Sequence, residues 1–258
     1  MLVSEVMLQQ TPVSRVLPVY ESWLARWPTP ASLADDSPGE AVRAWGRLGY
    51  PRRALRLHAA ATTIVACHAG VVPDDLAALR ALPGVGDYTA AAVAAFAYRQ
   101  RVPVLDTNVR RVLARQQRGS AAGPAHLTRA ERDLAERLLP PDPATAARWS
   151  VAVMELGALV CTAVAPRCDA CPLVPRCAWL AAGRPAPATP RRAQPFAGTD
   201  RQVRGLLLAD VRDAAAPVPA AALASLWPDQ VQRERALASL LADGLLARDE
   251  DGGLRLPG

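Results

Sequence analysis

The chain has 258 residues, of which 51% are hydrophobic, 21% charged and 5% aromatic. This excludes wholesale disorder and provides apolar surface for one or two packed domains. The 30 basic residues against 24 acids give a net charge of +6, and all 30 are arginine. Without lysine no side-chain Schiff base can form, and the basic excess suits an anionic partner. No apolar run approaches the roughly 18 residues of a membrane span, and no basic-apolar-small leader opens the chain, so a cytoplasmic protein is expected.

Glu5 sits in a mostly apolar segment, LVSEVMLQQT. An acid there is either a surface residue or a buried one with a raised pKa, and the second kind can donate a proton at neutral pH. Leu17, Tyr20, Leu24 and Trp27 recur at helical spacing, as do Ala54, Leu57, Ala61, Ile64 and Val65, which predicts two amphipathic helices. Cys67, alone near the end of the second, reads as a small core residue. Residues 41–58 hold five Arg and no acid, and 99–118 hold six Arg against one Asp. Each run is either a solvated face or an anion-facing patch. Tyr50 lies in the first, where an aromatic could stack on or wedge between bases.

Residues 82–89, LPGVGDYT, precede an alanine-rich run, AAAVAAFAY. A tight Gly-x-Gly turn between two helices aims a helix N-terminus outward, a site for a phosphate. The pattern predicts a helix-hairpin-helix that fixes DNA backbone and reads no bases; the plainer reading is an ordinary αα-hairpin. Asp106 follows VPVL and precedes NVRRVLAR, so it is a helix N-cap or a carboxylate kept ionised by Arg110 and Arg111. An acid and an anion in different environments are what glycosidic cleavage requires.

Cys161, Cys168, Cys171 and Cys177 are spaced C-x6-C-x2-C-x5-C. Thiolates so close repel one another unless a cation or cluster neutralises them, which leaves zinc or an iron–sulfur cluster. A single C-x2-C between looser arms is closer to what a bulky cluster needs. Residues 183–198, with four Pro, read as a linker. Residues 199–258 read as a separate unit of three helices, the last closed by Gly244, and a hairpin around Asp251-Gly252-Gly253, a winged-helix-like order. The stretch 228–258 has four Arg against six acids, so packing or protein contact suits this tail as well as DNA does.

Together SEVMLQQTPV (4–13), LGY (48–50), LPGVGDYTAAAV (82–93), VLDTNVRRVLAR (104–115), ELGALVC (155–161) and the cysteine spacing resemble the MutY-type adenine DNA glycosylases of the helix-hairpin-helix superfamily. The resemblance covers about residues 1–180. It implies an all-α fold: a helical barrel domain with the hairpin at 1–114 and an iron–sulfur domain at 115–182. The 183–198 linker and 199–258 tail lie beyond it. It implies a [4Fe–4S] cluster on Cys161, Cys168, Cys171 and Cys177. The substrate would be duplex DNA with adenine opposite 8-oxoguanine or guanine, met by a monomer associated with the nucleoid.

The adenine would be flipped out. Glu5 would protonate its ring, Asp106 would stabilise the oxocarbenium ion, and Tyr88 and Asn108 would support the site. Gln10 and Tyr50 would fill or wedge the stack, Thr11 would lie beside the opposite base, and Leu82, Gly84, Val85 and Gly86 would form the phosphate turn. Endonuclease III-like relatives carry Lys where Tyr88 stands, so a lysine-based lyase is not expected. Thymine mismatch glycosylases share the Tyr, but Glu5 favours the adenine enzyme.

The chain departs from the family in three places. Relatives carry an upstream helix and a Leu-Pro-Trp-Arg strip ahead of the Glu-bearing helix, many have Gln or Glu at the position of Val151, and many carry a Nudix-like C-terminal domain. The alternatives are therefore a thymine, uracil or endonuclease III-like glycosylase, or a DNA-binding protein with impaired catalysis.

Overall fold

The structure, a computed structural model, describes residues 1–187 and 196–258; the middle of the expected linker, 188–195, lies outside them. Helix dominates, as expected. In chain order come α1 (Leu2–Met7), α2 (Val13–Arg26), α3 (Pro30–Ala34), α4 (Pro38–Trp45), α5 (Arg52–Cys67) and α6 (Leu76–Ala81). There follow α7 (Asp87–Phe96), α8 (Thr107–Arg118), α9 (Arg129–Leu138), α10 (Pro143–Glu155), α11 (Ala178–Ala181), α12 (Asp200–Asp213) and α13 (Gln230–Ala242). Among the described residues strand is confined to β1 (Ala247–Arg248) and β2 (Leu254–Arg255), paired antiparallel with Ala247 opposite Arg255. No described helix is long and apolar enough to cross a membrane.

Local chemistry sets the helix starts. Thr29 and Thr128 form capping boxes with Ser32 and Glu131, Ser37 and Asp142 cap the next helices, and Pro30, Pro38 and Pro143 occupy first positions where no N–H is needed.

The chain divides into two compact units that interleave in sequence. One holds Leu2–Pro73, Ala77–Val85 and the described part of Ala193–Gly258. The other holds Met1, Asp74–Leu76 and the described part of Gly86–Arg192. Residues 86–114, expected with the N-terminal helices, thus group with the cysteine segment. The tail, expected as a separate unit, groups with α1–α5.

The first unit is centred on Trp23, Trp27 and Trp45, all at most 4% exposed, with edge-to-face ring centroids 4.7 and 5.9 Å apart. Each such pair contributes about 0.5–1.5 kcal/mol beyond burial. The helices at 13–26 and 52–67 form where periodicity places them; in α5 the expected Ala54, Leu57, Ala61 and Ile64 are buried and Val65 alone of that set faces out, while in α2 the buried stripe is shifted. Val16 and Trp23 are buried in α2 while Leu17 is 51% exposed; Ala60 and Ile64 are buried in α5 while Val65 is 40% exposed. Cys67 shares the outward face and is exposed, which corrects its assignment to the core.

The tail buries Val203, Leu207, Leu208 and Val211 of α12 with Leu240 of α13 and Leu254 of β2. Its middle element, Ala220–Leu226, is a 3-10 turn and not the expected α-helix. The backbone N–H of Gly39 donates to Pro257 O at 2.8 Å. A Cβ at Gly39 would collide with that oxygen and come 2.9 Å from Leu256 Cβ.

In the second unit Val109, Val112 and Leu113 of α8 pack with Ala135 and Val153. Ala91, Ala92 and Ala95 of α7 pack with Val104. The small side chains let this helix lie close to its neighbours.

Candidate active site

Asp106 is the N-cap of α8. One carboxylate oxygen accepts from the Val109 N–H at 2.6 Å and the other from Asn108 Nδ2 at 2.8 Å. Burial pushes this carboxyl above the ordinary range, against the lowering influence of the Val109 and Asn108 hydrogen bonds and the Arg111 charge. The expected ring of two arginines is therefore corrected. Arg110 turns away to pair with Glu131 at 2.8 Å and to donate to Pro124 O and His126 O. Desolvation outweighs the charge that remains.

Arg111 orders the other side of Asn108. Its Nη2 donates to Asn108 Oδ1 at 2.8 Å and to Gly157 O at 2.6 Å, and its Nε donates to Cys161 O at 2.8 Å. The carboxylate, amide, guanidinium and the backbone of the first cysteine are thus one hydrogen-bonded chain. Gly157 lies in a single π-helical turn, Leu156–Val160, of the kind often found at functional sites. A Cβ there would lie 2.7 Å from Asn108 Cβ, so only glycine fits beside the amide. Tyr88, in the first turn of α7, packs against the Ala91, Ala92, Ala95 and Val104 cluster.

The four cysteines follow that turn. Cys168 and Cys171 bracket one 3-10 turn, and Cys177 follows another, Val174–Arg176. All four are part-buried free thiols. Burial pushes the Cys171 thiol up, and the neighbouring thiols of Cys161, Cys168 and Cys177 push it the same way. The four thiols therefore lie near one another. No group of three or more His, Cys, Asp and Glu among the described residues is set for a single metal ion. Four thiolates are a donor set used both by tetrahedral zinc sites and by iron–sulfur clusters. Arg115, 3% exposed, stacks 4.3 Å from the Trp179 ring and donates to Cys161 Sγ at 3.3 Å.

In the other unit Glu5 is buried in α1, 8% exposed. It is therefore not a surface residue. The organising residue nearby is Arg53, 7% exposed. Its Nη1 donates to Val6 O, Met7 O and Gln9 O at 2.9, 3.1 and 2.6 Å. Its Nη2 donates to Thr11 Oγ1 and Gly49 O, both at 3.0 Å. The guanidinium also lies 5.0 Å from the Trp45 ring and 5.5 Å from the Tyr50 ring. One side chain thus fixes the end of the Glu5 helix, the turn after it and the loop carrying Tyr50.

Gln10, φ 56°, is exposed, and Tyr50, φ 48°, is 50% exposed; both are presented outward. Thr11 is not. It is 6% exposed, accepts from Arg53 and lies within 3.4 Å of Leu48 O, so without DNA it is an internal tie.

In the hairpin turn, Leu82 and Val85 are buried anchors, 2% and 7% exposed. Gly84 has φ +77°, and a Cβ there would stand 2.6 Å from Arg56 Cβ. Gly86 is the N-cap of α7.

A family model described as HhH-GPD superfamily base excision DNA repair protein matches residues 3–140. The chain belongs to this family. Within the HhH-GPD superfamily it is 56% identical to an adenine DNA glycosylase of Mycobacterium tuberculosis, across 100% of the chain and 84% of that protein. It is 55% identical to one of Mycolicibacterium smegmatis across 100% and 87%. With a human adenine DNA glycosylase the identity is 42% across 68% of the chain and 32% of that protein. Among solved structures, a thermostable thymine-DNA glycosylase superposes with a TM-score of 0.62 at 25% identity, over 70% of the chain and 83% of its own. An endonuclease III bound to DNA gives 0.61 at 23%, over 69% and 81%, and so supports the same fold. The expected family and helical fold agree with these findings, and the chain is a base-excision DNA glycosylase.

Sequence reasoning did not single out Arg53 or Arg115 and gave Arg111 a different task. All three are buried or half-buried organisers within arginine runs that read as surface. The one signal available was the lack of nearby acids to pair with, which leaves backbone carbonyls as their acceptors.

Proposed function

We propose that this glycosylase removes adenine mispaired with 8-oxoguanine or guanine in duplex DNA and leaves the strand intact. The observation that carries the reading is the 56% identity along the whole chain to a relative named adenine DNA glycosylase. The buried Glu5 and capped Asp106 lie within the matching segments.

The target adenine leaves the stack, and Tyr50 and Gln10 occupy the gap. Glu5, shielded from water, gives its proton to the adenine ring, and the C1′–N9 bond breaks with both electrons going to the base. Asp106 is ionised for this step, and its negative charge stabilises the oxocarbenium sugar until water adds at C1′. Asn108, held by Arg111, aims the carboxylate. With Tyr88 at position 88 and no lysine in the chain, no Schiff base forms and the abasic site is the product. The turn 82–86 holds a DNA phosphate, so binding weakens steeply with salt.

Cys161, Cys168, Cys171 and Cys177 would hold a [4Fe–4S] cluster, which would cross-link the 161–177 segment and take no part in bond breaking. The protein acts as a monomer on nucleoid DNA in the cytoplasm. Single-turnover assays on a duplex with adenine opposite 8-oxoguanine test the chemistry. Glu5→Gln and Asp106→Asn are each expected to lower the rate at least about a hundredfold. Wild-type turnover in Glu5→Gln contradicts the reading.

A further inference from the structure

We infer that the C-terminal tail is a brace for the loop that presents Tyr50, with Arg212 as its positioning residue. The inference deepens the proposed function and rests on the reading of Tyr50 as the residue that enters the stack. The loop between α4 and α5 is strained: Gly46, Gly49 and Tyr50 have φ of +57°, +84° and +48°. A non-glycine residue in that region costs about 1–2 kcal/mol and persists where its surroundings over-determine it.

The surroundings do so carbonyl by carbonyl. Arg47 O accepts from the Arg15 side chain and Leu48 O from Thr11. Gly49 O accepts from Trp45 Nε1 and Arg53 Nη2, and Tyr50 O from the Arg53 N–H. The remaining carbonyl, Gly46 O, accepts from Arg212 Nη1 of the tail at 2.7 Å. Arg212 is 7% exposed, and its Nε also pairs with Asp213 at 3.0 Å. The tie is reciprocal, because Arg43 of α4 donates to Arg212 O. At the far end of the loop Arg52 pairs with Asp243, the C-cap of α13, at 3.3 Å. The tail thus grips the loop at residues 46 and 52. A tail whose acids outnumber its arginines over 228–258 suits such a packing task better than a second DNA contact.

The test uses the full chain. Arg212→Met keeps the aliphatic stem and removes the donor, and Arg235→Ala, which breaks the exposed pair with Asp200 elsewhere in the tail, is the control. Amide hydrogen exchange is read without DNA. Exchange at residues 47–50 is expected to rise about tenfold in Arg212→Met and stay unchanged in Arg235→Ala. Adenine release is expected to fall about tenfold, and Arg212→Met with Tyr50→Ala to be no slower than Tyr50→Ala alone, because both act through one residue.

Unchanged exchange overturns the brace, and additive losses overturn its action through Tyr50. If Arg212→Met does not melt cooperatively, Arg52→Met, which leaves the Asp243 pair with Arg204 at 2.6 Å in place, carries the test. Faster exchange at 47–53 supports the brace and unchanged exchange overturns it. Because exchange is read without substrate, failure of the adenine reading would show as a wild type without base release and stay distinct from failure of the brace.

Discussion

Replacing Arg53 by Met should destabilise the unit that carries Glu5 more than any surface substitution. The change removes donors from Val6 O, Met7 O, Gln9 O, Thr11 Oγ1 and Gly49 O while keeping the aliphatic stem. Hydrogen bonds to a charged group are worth about 1.5–3 kcal/mol each, but they share one guanidinium and do not add. The charge itself is costly to bury, since burial pulls its pKa down and Nε has no partner. Removing one side of a buried charged network costs about 3–5 kcal/mol. Neutral acceptors place this case at the lower end, about 3 kcal/mol. At about 2–4 °C per kcal/mol for a protein of this size, the melting temperature falls by about 6–12 °C. Urea unfolding followed by tryptophan fluorescence reports it, because Trp45 lies 5.0 Å from the guanidinium. Arg53→Lys keeps the charge but lacks the fork, and should recover less than half the loss. Full recovery by Lys, or a loss below about 1 kcal/mol in Met, would refute the cradle.

The Asp106 carboxyl is raised by burial, so the acid limb of the single-turnover rate should lie above the ordinary carboxylate range. Asn108→Ala, which removes a bond to the ionised form, should move that limb further up; an unmoved limb contradicts the assignment. The stability linkage has the matching sign. A folded pKa above the unfolded one favours the fold fully below the unfolded value, and that contribution is lost as pH rises through the folded one. Gly157→Ala should push Asn108 off Asp106 and lower the rate at least about tenfold, with about 1–3 kcal/mol of overpacking in the melt. Cys171→Ser should lower bound iron and brown colour and loosen the 161–177 segment in limited proteolysis; iron content equal to wild type would argue against a cluster there. Gly84→Ala meets Arg56 Cβ at 2.6 Å and should weaken duplex binding equally for all sequences, since the turn touches backbone only.

The parts legible in the sequence were those whose chemistry is local. The Leu-Pro-Gly-Val-Gly turn and the Asp106 cap each need residues within a short window, and each lies where its window places it. What was hidden depends on partners distant in the chain. Hydropathy reads an arginine run as surface, yet Arg53 is internal because carbonyls at residues 6, 7, 9 and 49 converge on it. The docking of the tail depends on pairs such as Gly39 with Pro257 and Gly46 with Arg212, which no periodicity encodes. Stripe membership was the third blind spot. Helical spacing placed the α5 stripe of Ala54, Leu57, Ala61 and Ile64 correctly but misplaced single members, since Leu17, Val65 and Cys67 face out. The Asp106 environment was misread because counting neighbouring charges leaves out the cost of burial.

The most direct test is single-turnover base release from three duplexes, adenine opposite 8-oxoguanine, adenine opposite guanine, and thymine opposite guanine, each sample split for alkali treatment. Adenine release from the first two, with strand breaks that appear only after alkali, is the predicted result. Thymine release in preference to adenine, or strand breaks without alkali, would contradict it.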